Sequence, residues 1–195
     1  MRILGIDPGS RITGYGIVDL EGSHLDLVSC GCLKLGGGPL VERLAVVYRE
    51  LSGLIKDFGP HEAAVEEVFM HRNAQSALKL GQARGAAVAA ASAHGLSVHE
   101  YSSTAVKLAT TGRGHAAKQQ VQHMIRVLLC LDVSPSVDAA DALAVAIAHG
   151  HYCTSAERVR TRAGSESPPP SRRRGRRRRR VLRTSAGSGP GPRAA

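Results

Sequence analysis

The sequence predicts an α/β protein whose mixed sheet carries helices on its faces. Three observations lead there. Three apolar runs follow one another within residues 2–34, joined by short turn signals, as hairpin-linked strands are. From residue 40 onward, stretches with apolar residues at 3–4 spacing alternate with short strand-like runs, the pattern that builds parallel pairs under helices. Gly and Pro punctuate the segments.

Residues 2–7 (RILGID) form an apolar strand that ends at the turn signal Asp7-Pro8-Gly9. Residues 12–20 (ITGYGIVDL) are the second strand, Glu21-Gly22 a hairpin turn, and residues 24–34 the third strand. After Gly36-Gly37-Gly38-Pro39, the spacing of Leu40, Leu44, Val47, Leu51, Leu54 and Ile55 predicts an amphipathic helix ending near Phe58-Gly59-Pro60. Residues 62–69 (EAAVEEVF) read as a buried strand ending in carboxylates. Residues 74–94 make a long helix stopping at Gly95, and residues 96–100 a short strand. Ser102 or Ser103 caps a short helix through Lys107 and Leu108. Thr111-Gly112-Arg113-Gly114 is a loop, residues 116–130 a helix, and Val137 to His149 the last helix.

The chain has 195 residues, room for one domain with a real core plus a tail, expected at 1–154 and 155–195. The net charge of +10 is unevenly placed: residues 155–195 hold 13 Arg and 2 acids, which leaves the body at about −1. From Ala163 on, Gly, Ser, Pro and Arg dominate, and so few apolar residues cannot offset the entropy of ordering; a disordered Arg-rich tail is expected. Asp7 interrupts any signal-peptide core, and no apolar run reaches the ~18–20 residues of a membrane span. Cys30, Cys32, Cys130 and Cys153 show neither CxxC nor zinc-finger spacing and read as reduced cytosolic thiols, so a cytoplasmic protein is expected.

The chemistry lies in acids at unusual places. Asp7 ends an apolar strand; Glu66 and Glu67 end another; Asp138 and Asp141 open an apolar helix at i, i+3, on one face. Alone, Asp7 is also a turn residue, Asp138 an N-cap and Asp141 a first-turn acid. One of Glu66 and Glu67 must point to the far face of its strand. As a set, crowded carboxylates repel unless a cation sits among them, and Mg²⁺ takes oxygen ligands. Two such ions clamp the attacking and leaving oxygens in phosphodiester cleavage. Gly14 and Gly16 mark either the close approach of a phosphate backbone or a bulge or bend. Lys107 and Lys118 are phosphate ligands or solvated surface groups; Phe69 is a base-stacking or a core residue.

GIDPGSRITGYGIV, VEEVFMHRNAQSALKLGQARG, KQQVQHMIRVLL and DAADALAVAIAH together resemble the RuvC family of crossover junction endodeoxyribonucleases, in order and spacing from about residue 1 to 152. The resemblance implies a ribonuclease-H-like fold with a five-stranded mixed sheet flanked by helices. It implies a homodimer that binds a four-way DNA junction and makes paired symmetric nicks in recombination and repair. Two Mg²⁺ per active site are implied, with Mn²⁺ as a substitute. It places the catalytic acids and metal ligands on Asp7, Glu66, Asp138 and Asp141, with Lys107 and Lys118 in catalysis and backbone binding. Phe69 matches an aromatic near the crossover, and DNA contacts are further expected at Gly14, Gly16, Arg72 and Arg113. The implied partners are a junction-binding protein and a branch-migration motor, in a bacterial, nucleoid-associated setting. His115, like Arg113, departs from the family pattern, and so does the long tail.

Two other classes fit less well. A sugar-kinase-like phosphotransferase shares an acid, Gly and Ser after its first strand, but needs a second domain and phosphate loop; no nucleotide cofactor is expected. A non-catalytic DNA binder leaves the acids unexplained, because without metal they repel phosphate. Nothing in the resemblance explains Arg172–Arg174 and Arg176–Arg180, which either bind nucleic acid non-specifically or are an unselected extension of a GC-rich gene. If they bind, removing residues 163–195 leaves folding intact and flattens the salt dependence of DNA binding. An unchanged slope in a binding titration means that the Arg run does not touch DNA.

Overall fold

A computed structural model of the chain describes residues 1–67 and 73–165. Strands β1 (Arg2–Asp7), β2 (Ile12–Glu21) and β3 (His24–Lys34) come first, followed by helix α1 (Leu40–Phe58), strand β4 (Glu62–Glu66), helix α2 (Ala74–Ala93) and strand β5 (Ser97–Tyr101). Helices α3 (Ser103–Thr111), α4 (Lys118–Leu128) and α5 (Val137–Ser165) complete it. The five strands form one sheet in the order β3-β2-β1-β4-β5. β1, β2 and β3 pair antiparallel, while β1–β4 and β4–β5 are parallel. The expected mixed five-stranded sheet flanked by helices is therefore the observed one.

Local chemistry sets the element ends. Gly59, in the left-handed region at φ 57°, closes α1 with its N–H on the Ile55 carbonyl. The Asn73 side chain accepts from the amides of Gln75 and Ser76 to open α2. Ser102, one of the two serines expected as cap, accepts from the Ala105 amide to open α3.

The sheet divides two cores. On one face Leu4, Ile6, Ala63 and Val65 pack with α1 and α2 through Val47, Leu51, Ala87 and Ala91. On the other, Ile3, Val18 and Ala64 pack under α5 through Leu143 and Ile147, with α4 adding Val121 and Ile125. Strand alternation then puts Gly5 and Asp7, and Glu62 and Glu66, on the α5 face.

Helix α5 is buried on all sides from Ala142 to Gly150, which is why its run of Ala, Leu, Val and Ile has no amphipathic period. It lies directly on strand glycines. A Cβ on Gly5 would overlap the Ala142 carbonyl and the Ala146 side chain, and one on Gly14 would overlap the Asp138 carbonyl. On Gly16 it would stand 2.6 Å from Leu143 Cδ2. The close approach expected at Gly14 and Gly16 is thus made by α5, whose packing accounts for both glycines without a phosphate.

Three boundaries differ from expectation. β4 ends at Glu66, short of residue 69, and Phe69 and Arg72 lie outside the described residues. α4 is shorter at both ends than 116–130. α5 does not stop at His149 but runs to Ser165, across the boundary expected at 154. Its polar second half reads as a helix end in sequence, yet the fold anchors it. Gly150 faces Leu25 and Ile3, Tyr152 stacks on Tyr101 at 5.2 Å, and the Thr154 hydroxyl donates to the Gly22 carbonyl at 3.2 Å. The Arg-rich run lies outside the described residues. No helix among the described residues is long and apolar enough to cross a membrane.

Gly5→Ala is expected to cost roughly 2–4 kcal/mol of unfolding free energy, because it collides with α5 backbone. Gly53→Ala, in α1 with open space before it, should gain about 0.5 kcal/mol. Urea titration reads both; a neutral Gly5→Ala would show that α5 is not seated this closely.

Candidate active site

Parallel neighbours end at the same sheet edge, and this brings the first two acids together. Ile6 registers with Val65, so Asp7 and Glu66 follow side by side, both on the α5 face. Alternation settles the choice between the adjacent glutamates: Glu66 faces the helix, while Glu67 lies past the strand with its N–H on the Tyr101 carbonyl at 2.8 Å. On the other flank Asp7 registers with Gly14, and Gly14 lies under the Asp138 carbonyl. The opening of α5 therefore stands over this edge, and Asp138 and Asp141 join Asp7 and Glu66. The four acids gather in space from three separate elements.

Their electrostatics show the crowding. The Asp7 carboxyl is pushed up to about 7, first by burial, then by repulsion from Glu66, Asp141 and Asp138; Lys118 opposes the shift. Glu66 is also raised, mainly by burial and further by Asp141, against a hydrogen bond from Ser103 and the charges of Lys107 and Lys118. Lys118 Nζ donates to Asp141 Oδ2 at 2.7 Å, a bond that holds the ammonium above its ordinary range. Glu66, Ser103, Lys107, Lys118 and Asp141 line one cavity of about 240 Å³.

Helix starts position the cations. The Gln120 side chain accepts from the Ala117 amide at 3.0 Å, fixing the first turn of α4, where Lys118 stands. Ser102 caps α3, which leaves Ser103 for Glu66 and puts Lys107 one turn further on. Sequence reading weighed Ser103 only as a cap; its adjacency to a cap is the one signal available. Arg113 is not brought to the acids. It lines a separate groove with Gln119, Gln120, His123 and Met124, and its N–H donates to Thr111 Oγ1 at 3.2 Å.

Four carboxylates and no sulfur or imidazole make a hard, oxygen-only donor set, and Asp7 is short of a positive neighbour. Both features fit a divalent cation such as Mg²⁺. The fold, a mixed ribonuclease-H-like sheet with acids at the ends of β1 and β4 and at the start of α5, places the chain among the nucleases. Comparison with known proteins gives the family. Residues 3–149 match Crossover junction endodeoxyribonuclease RuvC. The protein of that name from Marinobacter nauticus is 53% identical over 157 residues, 80% of this chain and 90% of that one. The one from Ectopseudomonas mendocina is 55% identical over 150 residues, 77% of this chain and 86% of that one. The structure of T. thermophilus RuvC in complex with Holliday junction substrate superposes with a TM-score of 0.76 at 36% identity, covering 80% of this chain and 96% of that one. The chain belongs to the RuvC family of crossover junction endodeoxyribonucleases.

The raised Asp7 makes a signed prediction. A folded-state value near 7, above the ordinary carboxylate value, penalises the charged form. The penalty is absent below about pH 4, grows from there, and is complete above about pH 7. In EDTA, Asp7→Asn should therefore stabilise the protein by up to roughly 4 kcal/mol at pH 8 and by little at pH 4. Thermal or urea unfolding at the two pH values reads this; equal stability at pH 8 contradicts the crowding.

Proposed function

We propose that the chain resolves four-way DNA junctions as a homodimer, hydrolysing one phosphodiester in each of two strands of like polarity with Mg²⁺. The carrying observation is the four-acid cluster at one sheet edge with Lys118 on Asp141. A relative of the same fold has been solved with junction substrate. Asp7, Glu66, Asp138 and Asp141 are the ligands, for two ions, with Mn²⁺ as a substitute. When bound, the metal lowers the pKa of the attacking water and stabilises the leaving oxygen. The acids themselves repel a DNA backbone when no cation is present, so they couple DNA approach to metal. Lys118 and Lys107 present ammonium groups at the cavity that holds Glu66 and Asp141, where they bind the scissile phosphate and meet its developing charge. Arg113, Phe69 and Arg72 are assigned to junction contacts, Arg113 from its groove beside α4 and away from the acids.

One chain offers one such acid cluster among the described residues, and paired nicks need two, which calls for a dimer. The outer face of α2 supports it: Leu78 is 63% exposed, and Gly81 and Gly85 have open space before them. A junction-binding protein and a branch-migration motor complete the assembly, in the cytoplasm on the nucleoid.

The test compares a synthetic four-way junction with linear duplex of the same sequence, in Mg²⁺ and in EDTA. Paired, symmetric nicks are expected in the junction alone and with metal alone. Asp7→Asn should abolish cleavage while keeping or tightening junction binding, and Lys118→Ala should slow cleavage roughly 100-fold. Cleavage by Asp7→Asn at the unaltered rate would overturn the site.

A further inference from the structure

A second group of metal-binding side chains lies on the α5 face of the sheet, away from the acids. Glu62 opens β4, His99 sits in β5, and His149 belongs to α5. One ligand atom from each lies within 4.8 Å of the other two. His149 Nε2 is 2.6 Å and His99 Nε2 3.5 Å from the same oxygen, Glu62 Oε2. The two imidazoles stack at 4.4 Å, so both rings present this nitrogen to one point. His149 is 2% exposed, and its other nitrogen, Nδ1, is 2.7 Å from the Tyr101 hydroxyl. A ring fixed from behind by a hydrogen bond, with its other nitrogen toward a carboxylate, a second imidazole and the Cys153 sulfur at 3.6 Å, has the orientation that metal-ligating histidines have. Burial also holds His149 below the ordinary imidazole range, in the neutral form that ligates.

We propose that Glu62, His99 and His149 bind a transition-metal dication, Zn²⁺ by preference, at a site separate from the catalytic acids. Two imidazoles and one carboxylate are a borderline-soft set that selects Zn²⁺ over Mg²⁺, as the oxygen-only cluster selects the reverse. Three protein ligands leave coordination positions open toward the adjoining cavity, about 620 Å³, where Tyr152 and Cys153 also stand. Binding replaces the hydrogen bond between His149 and Glu62: the neutral imidazole carries its one proton on Nδ1, toward the Tyr101 hydroxyl, and Nε2 and Glu62 Oε2 move apart to accept the ion.

The two sites cannot share an ion. Glu62 and Glu66 are four residues apart on β4, about 13 Å along a strand. Asp141 and His149 are eight apart on α5, about 12 Å along a helix. The same strand and the same helix thus carry both ends, and an ion at the histidines ties together two of the elements that hold the catalytic acids.

The probe is Zn²⁺ added to full-length protein stripped with EDTA and returned to excess Mg²⁺, followed by calorimetry, with Co²⁺ absorption reporting ligand type. One site per chain with Kd below about 1 µM is expected. It should weaken at least about 30-fold in His99→Ala and in Glu62→Gln, and stay unchanged in Asp7→Asn. His99 has 43% of its side chain exposed, so its variant should fold, and an unshifted Tm in EDTA checks this. Glu62→Gln keeps the size of the side chain and serves as the second variant. Zn²⁺ binding that is absent, or that persists undiminished in both variants, or that is lost in Asp7→Asn, overturns the proposal.

Discussion

The contact between helix α5 and the middle of the sheet governs the rest of the structure. Gly5, Gly14 and Gly16 clear side chains from the part of β1 and β2 where α5 comes closest, and the helix answers with Ala142, Leu143 and Ala146. That closeness puts Asp138 directly above Gly14, and Gly14 is the register partner of Asp7. Widening the seat by one methyl group would lift Asp138 and Asp141 off Asp7 and Glu66 together. It would lift His149 from Glu62 as well. The backbone entropy lost at the glycines is set against a rigid alignment of carboxylates from three elements.

The acidic edge and the far end of the helix solve opposite problems. At the acids, burial and like charge oppose ionisation, so the fold there is less stable at neutral pH than an amide in the same place would make it. Functional sites carry such costs, and the buried apolar run of α5 offsets them. At the other end the buried His149 has Glu62 and Tyr101 as partners, and the partly exposed Thr154 hydroxyl has the Gly22 carbonyl. The helix is held firmly where no reaction is expected and strained where one is.

Much of this was legible in the residues. The strands of 2–34 announced themselves through turn chemistry, and α1 through its 3–4 spacing and Gly59. The acids stood out because each follows or opens an apolar run. What was not legible depended on partners far away in the chain. Glu66 and Glu67 differ only by which sheet face each meets, and the residues alone gave no face; the resemblance chose Glu66, and β4 alternation agrees. Gly14 and Gly16 announced a close approach, read as a phosphate backbone's, where α5 itself comes close. The second half of α5 reads as polar because its anchors, Tyr101 and the Gly22 turn, are distant in sequence. Glu62, His99 and His149 were passed over for the same reason: they are 37 and 50 residues apart in order, with no spacing motif to join them.

Charge ties the site to its proposed substrate. The body carries about −1 overall, so nothing general draws DNA to it, and the acids at the edge push a phosphate away. The cations near them are few: Lys118, already bonded to Asp141, and Lys107 beside Glu66. A backbone phosphate can settle there only once the carboxylate charge is answered, which two lysines cannot do for four acids. Under the proposed function the divalent ion therefore serves the approach of the substrate as well as the hydrolysis. That double role would reconcile a DNA enzyme with four acids at the place proposed for the scissile phosphate.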